Sequence, residues 1–389
     1  MKIAILYYQF LDEDGRQRRI GGVETYIYNL SRLLASKGYD VTVCQGSATK
    51  FRAVIDDVQV IGLGGVWPHR NQIRRAFLLT EATAALSLDS QRDVLIFAAD
   101  QCSVRNHFTQ TIGIQHGVSW DLPTKYLTAS ATLNRRVFAS AYKAYIKYRA
   151  LRNFERSHYR VCVDYNFLNW YKTVASMELD YSNIYVIPNF ADSLAGVLSE
   201  SAYTRPVSII FARRYYEYRG TRIAALALKR ISLEFPNIHI TFAGEGPDEG
   251  YLRDMFHGCS LAEFVKYDPT DATRIIGAHS ICIVPSLACE GTSYSVIEAM
   301  ASGCAVVASA VGGITNIICD EFNGLLVSPT VESLYMGIKR LIVDNDLRAK
   351  LIRNAIETVR ASFSRNKWES SWLEVMADVR RSSEQSYRR

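Results

Sequence analysis

The sequence lacks the features that mark membrane-spanning, zinc-ribbon and disulfide-stapled proteins. No apolar run in its 389 residues approaches the roughly 20 residues that a bilayer-spanning helix needs. The eight cysteines form no CxxC pair, and several lie within apolar runs, which is typical of buried thiols in a reducing compartment. The opening MKIAILYYQF is too short for the apolar core of a signal peptide, so we expect a soluble, cytoplasmic protein.

Repeats, low-complexity segments and proline are scarce as well, with nine prolines in the whole chain. The composition is 48% hydrophobic and 22% charged, which is ordinary for a globular protein and excludes disordered, collagen-like and coiled-coil classes. A chain of this length is expected to form two domains, each large enough to bury a core of its own.

Negative charge is lacking in one segment in particular. The formal net charge is +6, and between residues 130 and 160 eight basic residues face a single acid, Glu155. The rest of the chain is therefore about neutral, and the basic character is one patch rather than a general field.

Short apolar runs alternate with helical periodicity along the chain. This rhythm predicts repeated βα units and parallel sheets covered on both faces, and it is interrupted by the polar stretch 188–206. We therefore expect an α/β protein whose two Rossmann-like domains face each other across a crevice at the carboxyl ends of their strands. The predicted divisions are residues 1–188, residues 189–365, and a C-terminal helix and polar tail at 366–389 that packs back on the first domain.

The segment 284–313 carries the densest signal for chemistry. After a strand, a loop holds Glu290, and a helix that starts near Ser293 places Glu298 among apolar residues. A buried carboxylate needs partners, and the vicinal hydroxyls of a ligand could supply them. Small and hydroxylic residues at 291–295 open the helix, where free N–H groups favour an anion or a sugar hydroxyl. A surface acid, an internally paired helix acid and an ordinary N-cap are the alternatives.

Other strand ends add basic and small residues. Arg213 follows one apolar run and Arg219 precedes the next helix, where two guanidinium groups could hold a pyrophosphate. Gly21 and Gly22 follow the first strand and let the backbone approach a phosphate closely. His116 follows another strand and is expected to face the crevice. Solvated loop arginines, a plain turn and a structural histidine are the alternatives for these three features.

No metal or cofactor site is predicted. The two DxD-like runs, at 12–14 and 344–346, do not follow buried strands. The run Gly244-Glu245-Gly246 lacks the continuation of the GxGxxG motif that binds NAD. We therefore expect a protein that uses neither a metal nor an organic cofactor.

Taken together, these residues resemble glycosyltransferase family 4, whose members are retaining enzymes with the GT-B fold. The resemblance covers most of the chain, and its last motif is the most specific. The matching motifs, in the order of the family, are Gly21-Gly22-Val23-Glu24, His116-Gly117, Ile187-Pro188-Asn189, Arg213 with Arg219, Ala243–Pro247, and Glu290-x7-Glu298 running into Glu-Ala-Met-Ala-x-Gly.

The resemblance implies transfer of a hexose or deoxyhexose from a nucleotide diphosphate sugar to a glycan or lipid-linked oligosaccharide, without a metal, as in bacterial surface-polysaccharide assembly. Glu290 would contact hydroxyls of the donor sugar and Glu298 those of the ribose. Arg213 and Arg219 would neutralise the leaving diphosphate, and His116 would line the donor sugar. The other donor-site positions implied by the family are Gly21, Gly22, Val265 (near the base), Gly291, Thr292, Ser293 and Tyr294.

The sequence departs from the family pattern at three places. Arg219 stands where lysine is usual, Phe190 replaces a glycine, and Thr292-Ser293 replace the more usual Phe-Gly. The donor sugar therefore stays open. A nucleotide-sugar epimerase of GT-B type, and a catalytically silent GT-B protein that binds a glycan or a partner, are the alternative functions.

The basic segment 134–159 interleaves Arg and Lys with aromatic residues at helical spacing. This pattern is typical of a peripheral anchor on anionic lipid, here the inner face of the plasma membrane, and it falls in the predicted acceptor-binding domain. A core helix with a solvated basic face is the alternative. No other motif typical of nucleic-acid binding accompanies the patch, so no nucleic acid is expected as a partner. The residues expected to contact membrane or acceptor are Arg135, Arg136, Lys143, Lys147, Arg149 and Arg152.

Overall fold

The computed structural model describes residues 1–65, 72–118, 120–122, 139–175, 181–192, 206–268, 271–288 and 290–387. The first half of the chain forms an eight-stranded sheet. Its strands are β1 Lys2–Tyr7, β2 Asp40–Gln45, β3 Lys50–Ile55, β4 Val58–Leu63, β5 Val94–Phe97, β6 Gln110–Gln115, β7 Tyr159–Cys162 and β8 Ile184–Val186. They lie in the order β3-β4-β2-β1-β5-β6-β7-β8.

One edge of this sheet departs from the parallel pattern that the sequence predicts. Strand β3 pairs antiparallel with β4 through a hairpin whose turn residues, Asp56 and Asp57, both have positive φ. Two aspartates in this conformation form a tight turn without the glycine that usually signals one. Strand β3 also alternates exposed and half-buried residues, as an edge strand does, so it carries no continuous apolar run.

The second half forms a six-stranded sheet in which every neighbouring pair is parallel, as predicted. Its strands are β9 Ser208–Ala212, β10 His239–Ala243, β11 Ala262–Val265, β12 Ile281–Val284, β13 Ala305–Ser309 and β14 Leu325–Val327. The order is β11-β10-β9-β12-β13-β14, with the earliest strand in the middle. This arrangement places the loops after β9 and β12 side by side, because those two strands are neighbours.

The helices cover the faces of both sheets. They are α1 Gly22–Ser36, α2 Gln72–Leu86, α3 Ala139–Phe154, α4 Tyr165–Val174, α5 Thr221–Glu234, α6 Glu249–Met255, α7 Ala272–Gly277, α8 Tyr294–Ala301, α9 Val331–Val343, α10 Asn345–Ser362 and α11 Arg365–Tyr387. Helix α3 carries the later part of the predicted basic segment, whereas Arg135 and Arg136 lie outside the described residues. None of the helices described is both long and apolar enough to cross a membrane.

The last helix, α11, returns from the second half to the first sheet. Trp372 on this helix is completely buried among residues of β1, α1 and β7. Its indole Nε1 donates a hydrogen bond of 2.9 Å to the Tyr26 hydroxyl on α1. The Tyr185 hydroxyl on β8 donates to Asp378 at 2.5 Å. Helix α11 is therefore part of the core of the first half of the chain.

Replacing Trp372 with alanine should lower the free energy of unfolding by about 3–5 kcal/mol, because it removes a fully buried ring and leaves a cavity between α11 and the sheet. Urea unfolding followed by circular dichroism measures the change. Leu233→Ala, at a side chain that is 75% exposed on α5, is the control and should change stability by less than about 0.5 kcal/mol. Equal stability of the two variants would contradict this anchoring role.

Candidate functional site

A cleft of about 1300 Å³ is lined by residues from both sheets, at the carboxyl ends of their strands. Parallel α/β sheets bind ligands at this edge. The structure brings most of the donor-site and catalytic candidates together here. The predicted residues that line the cleft are Gly21, Gly22, His116, Arg213, Arg219, Glu290, Gly291, Thr292, Ser293, Tyr294 and Glu298.

One donor-site candidate lies beside the cleft rather than in its wall. Val265 ends β11 and packs against the buried core of the second half, so it is not among the lining residues. The next three residues along the chain, 266–268, do line the cleft. The side chains of Lys266 and Tyr267 are therefore the ones that a bound group would meet near this strand end.

The predicted membrane or acceptor patch lies apart from the cleft wall. Lys147 and Arg152 are exposed on α3, while Lys143 and Arg149 are half-buried on the same helix. Three tyrosines on α3 are among the exposed large side chains, with 43%, 50% and 60% of the surface of Tyr142, Tyr145 and Tyr148 accessible. The four predicted basic residues that the structure describes therefore share one helix with these exposed tyrosines.

Glu290 is the centre of the charged cluster in the cleft. One oxygen of its carboxylate, Oε1, accepts hydrogen bonds from Arg213 at 2.6 Å, from Arg219 at 2.5 Å and from the Ser286 hydroxyl at 2.5 Å. Arg213 also donates to Ser286. Among the residues described, none donates to the other carboxylate oxygen, Oε2, so this atom is available to a hydroxyl group in the cleft.

The charges in this cluster determine its protonation. Burial by itself raises the pKa of Glu290, but the positive charges of Arg213 and Arg219, with the Ser286 hydroxyl, outweigh burial and lower that pKa to about 2. The carboxylate is therefore ionised at neutral pH. Two guanidinium groups around one carboxylate leave a surplus positive charge at the floor of the cleft, which suits a polyanionic ligand.

Glu298 has the opposite environment. It lies one helical turn into α8 and lines the cleft, and among the described residues no group donates a hydrogen bond or forms an ion pair with its carboxylate. Burial raises its pKa to about 7. This is the unpartnered carboxyl group that the sequence predicts, and a ligand with hydroxyl groups would supply the missing donors.

His116 follows β6 and presents its ring to the cleft from the first half of the chain. Its Nε2 lies 2.7 Å from the carbonyl oxygen of Ala98, and the Tyr26 ring packs edge-on at 5.1 Å. Burial lowers the pKa of His116 to about 4, so the ring is neutral. Because a carbonyl oxygen only accepts, the proton is on Nε2 and Nδ1 is left as a hydrogen-bond acceptor.

The amino ends of two helices meet across the cleft. A Cβ atom on Gly22, at the start of α1, would lie 3.5 Å from the ring of Tyr294, at the start of α8. A Cβ on Gly21 would lie 2.1 Å from the carboxylate of Glu24, so the flexible Glu24 side chain would have to move to admit any other residue there. Two helix amino ends provide free N–H groups and positive dipole ends for an anion.

Direct contacts hold the two halves together beside the site. Thr292 donates from its hydroxyl to the Val163 carbonyl, and Asn189 donates to the Thr292 carbonyl at 2.6 Å. A Cβ on Gly291 would lie 2.4 Å from the His116 carbonyl oxygen, so the backbones of the two halves are in close contact. Residues 291 and 292 therefore both line the cleft and join the two sheets.

Several residues of the cleft are not among the site residues predicted from the sequence. Ser286 completes the hydrogen-bond cluster of Glu290, and Arg214 and Glu24 add charge to the wall of the cleft. Their positions next to strand ends or a glycine pair were the available signal, but serine and charged residues are common in such loops. Among the described residues, no group of three or more histidine, cysteine or acidic side chains is placed to hold a metal ion.

Comparison with known proteins agrees with this geometry. Residues 199–358 match the family model described as Glycosyl transferases group 1. This part of the chain is therefore a glycosyl transferases group 1 domain. It contains Arg213, Arg219, Glu290 and Glu298, four of the charged residues of the second half that line the cleft.

Relatives with assigned names match over part of their length. The chain is 31% identical over 193 residues to a phosphatidyl-myo-inositol mannosyltransferase of Mycolicibacterium smegmatis, covering 47% of this chain and 49% of that protein. It is 22% identical over 332 residues to one component of the phosphatidylinositol N-acetylglucosaminyltransferase of Homo sapiens, covering 83% of this chain and 66% of that protein. The match to the mannosyltransferase thus spans about half the length of that relative.

Solved structures establish the fold. Sucrose-phosphate synthase from Thermosynechococcus elongatus superposes with a TM-score of 0.72 at 17% identity, covering 98% of this chain and 99% of that one. HepE of Anabaena, in complex with UDP-glucose, superposes with a TM-score of 0.70 at 15% identity, covering 97% of this chain and all of that one. The predicted GT-B fold is confirmed.

Glu298→Gln should stabilise the ligand-free protein at pH 8 by about 1–2 kcal/mol and have little effect at pH 5. Folding raises the pKa of Glu298 from 4.5 to about 7, so its contribution to stability is complete below pH 4.5 and is lost as the pH rises through 7. The difference in melting temperature between variant and wild type measures this. Glu357→Gln, at an exposed position on α10, is the control. A difference that does not vary with pH would contradict the assignment.

Proposed function

We propose that the protein transfers a hexose or deoxyhexose from a nucleoside diphosphate sugar to a hydroxyl group of a glycan or lipid-linked acceptor, with retention and without a metal. The observation that carries the proposal is the convergence of Arg213 and Arg219 on Glu290 at the floor of the cleft. These residues place surplus positive charge beside a carboxylate oxygen that is free to bind a sugar hydroxyl.

The reaction requires a stabilised leaving group. The bond between the anomeric carbon and the diphosphate breaks, and the acceptor oxygen bonds to the same face of that carbon. The departing phosphate oxygen takes the proton of the acceptor hydroxyl, so no other base is needed. Arg213, Arg219 and the amino end of α8 would stabilise the negative charge that develops on the diphosphate.

The other cleft residues divide between the two ends of the donor. Glu298 would accept hydrogen bonds from the ribose hydroxyls, which replaces the partners that its carboxylate lacks. Glu290 Oε2 and His116 Nδ1 would accept from hydroxyls of the sugar. Tyr267, which lines the cleft near Glu298, would contact the base.

The relatives support the substrate class. The mannosyltransferase and the human N-acetylglucosaminyltransferase component are named for sugar transfer to phosphatidylinositol, and HepE was solved with UDP-glucose. Those are properties of the other proteins. They support a nucleotide sugar as the donor here and a lipid-linked acceptor.

The basic helix α3 supports a location at the membrane. Exposed tyrosines and basic side chains on one helix favour peripheral binding to anionic lipid on the cytoplasmic face of the plasma membrane. An acceptor held in such a membrane would reach the first half of the chain.

A panel of UDP, GDP, dTDP and CDP, with NAD as a control, tests the donor site in a thermal-shift assay with EDTA. One nucleoside diphosphate, at 100 to 1,000 times its dissociation constant, should stabilise the protein by about 3–4 kcal/mol. No shift with any of the four would favour the silent scaffold. A shift without a glycoside product in an acceptor assay would favour the epimerase.

Arg213→Ala should lower kcat by about 10²–10³-fold, because it removes one of the two groups that stabilise the leaving diphosphate. Steady-state release of nucleoside diphosphate measures the change. Arg219→Lys is the matched control: it keeps the charge at a neighbouring position and should retain most of the activity. Full activity of the Arg213 variant would refute the leaving-group role.

A further inference from the structure

Asp164 lies where the first half of the chain meets the segment that carries Glu290. It precedes helix α4, and only 3% of its surface is exposed. One oxygen of its carboxylate, Oδ1, accepts a hydrogen bond of 2.8 Å from the Asn166 N–H, which makes Asp164 the N-cap of α4. The other oxygen, Oδ2, has no hydrogen-bond partner among the described residues. The helix therefore satisfies one of the two carboxylate oxygens.

Two glycines of the second half enclose the other oxygen. A Cβ atom on Gly313 would lie 2.3 Å from Asp164 Oδ2, and one on Gly291 would lie 3.2 Å from it. The N–H of Gly313 donates to the Glu290 carbonyl at 2.7 Å and so is not available to Asp164. In the described part of the chain, Oδ2 is therefore shielded from water by backbone that gives it no hydrogen bond.

The enclosing backbone belongs to the turn Gly312–Asn316 and to residues 290–292, which we call the site segment. The site segment packs on the loops after β6 and β7. A Cβ on Gly117 would lie 3.0 Å from the Gly291 nitrogen, and the Thr292 hydroxyl donates to the Val163 carbonyl. All three residues of the site segment also line the cleft. How closely the segment packs on the first half therefore affects the shape of the donor site.

The charge of Asp164 opposes this contact. When the site segment packs on Asp164, the ionised carboxylate loses its water at Oδ2 and gains no donor, which costs free energy. The protonated acid loses much less, because a neutral carboxyl group is hydrated more weakly than a charged one. Burial accordingly raises the pKa of Asp164 to about 6, although the N–H groups of Asn166 and Phe167 lower it. Packing of the site segment is therefore coupled to the uptake of a proton.

Neighbouring titratable groups do not offset the charge of Asp164. Those on the elements packed against it are Cys162 on β7, His116 after β6, Tyr165 on α4, Glu290 in the site segment and Lys367 on α11, and the turn Gly312–Asn316 contributes none. Among the described residues, none of these side chains forms a hydrogen bond or an ion pair with Asp164. Lys367, which shares a cavity of about 250 Å³ with Asp164, is exposed and donates to the Ala361 carbonyl at 3.3 Å. Burial, rather than a neighbouring charge, therefore determines the pKa of Asp164.

We propose that Asp164 is a positioning residue that controls how tightly the site segment packs on the first half of the chain. The protonated acid permits close packing, and the ionised carboxylate loosens it. Because Glu290 and Gly291 lie in the segment, the change acts on the binding of the nucleotide sugar rather than on the chemical step. This last consequence rests on the proposed function, whereas the packing itself is a property of the ligand-free protein.

Hydrogen–deuterium exchange of the ligand-free protein tests the packing directly. Asp164→Asn keeps the cap of α4 and removes the charge. The pKa of Asp164 is about 6 when the segment is packed and returns to its usual 3.8 when the carboxylate is hydrated. The protection of peptides that cover residues 290–292 and 312–316, taken as variant over wild type, should therefore rise about tenfold from pH 5 to pH 8. A constant ratio, or an equal rise in the core strands β1 and β9, would overturn the inference.

Asp344→Asn is the matched control. Asp344 caps α10 by accepting a hydrogen bond of 2.9 Å from the Leu347 N–H, and it does not line the cleft, so its variant should show no such rise. Asp164→Ser also caps α4 but lacks the second oxygen, and it should reproduce the asparagine result. It keeps the experiment decisive if the asparagine variant does not fold. Wild-type behaviour of the Asp164→Ser protein would overturn the inference.

Isothermal titration calorimetry with UDP, GDP, dTDP and CDP connects the packing to the donor site. Between pH 5 and pH 8, the wild type should lose about three- to tenfold more affinity for the nucleotide that binds than Asp164→Asn does. Glu298 titrates in both proteins, so its effect cancels in the ratio. An equal loss in both proteins would overturn the coupling to donor binding. No binding of any of the four to the wild type would instead be a failure of the proposed function, and the exchange result would still decide this inference.

Discussion

The carboxylate of Glu290 shares one oxygen between two guanidinium groups in a site that excludes most water, and the surrounding structure depends on this arrangement. Burying any one of these charges alone would cost free energy, because the low dielectric of the interior weakens the solvation of a charge. The same low dielectric strengthens the attraction between opposite charges, so the three groups are buried together. The three residues come from the loops after β9 and β12, so those loops must converge. Gly220 makes this possible, since its φ is +84° and a Cβ atom there would lie 1.8 Å from the Pro285 carbonyl oxygen.

Two groups of side chains in the cleft lack full partners: one has uncompensated positive charge, and the other is a carboxyl group without hydrogen-bond donors. At its floor, one carboxylate offsets only part of the charge of Arg213 and Arg219. Further along, Glu298 has a carboxyl group with no partner among the described residues, and its pKa of about 7 reflects that isolation. An extended ligand with phosphates at one end and hydroxyls at the other would satisfy both sites at once. The charged and hydrogen-bonding groups of the ligand-free cleft are therefore complementary to the phosphates and hydroxyls of a nucleotide sugar.

The first sheet contributes less charge to the cleft but fixes its geometry. The neutral ring of His116 and the amino end of α1 face the second half, and the hydrogen bonds of Thr292 with Val163 and Asn189 hold the halves in contact. Helix α11 crosses back and buries Trp372 in the first core. The chain thus passes between the halves twice, which limits how they can move relative to each other.

The α/β pattern, the parallel second sheet and the two carboxylates of the 290–298 motif could all be predicted from the sequence. These features are local: an apolar run, a helical period or a fixed spacing is readable without knowing what lies across the molecule. The hairpin of β3 and β4 was not predicted, because two aspartates form its turn without the usual glycine. The contacts of Ser286 with Arg213 and Glu290 belong to the tertiary structure alone. A serine or an arginine has no local signature of the partner it meets, since burial and the approach of distant segments decide which polar groups lack water.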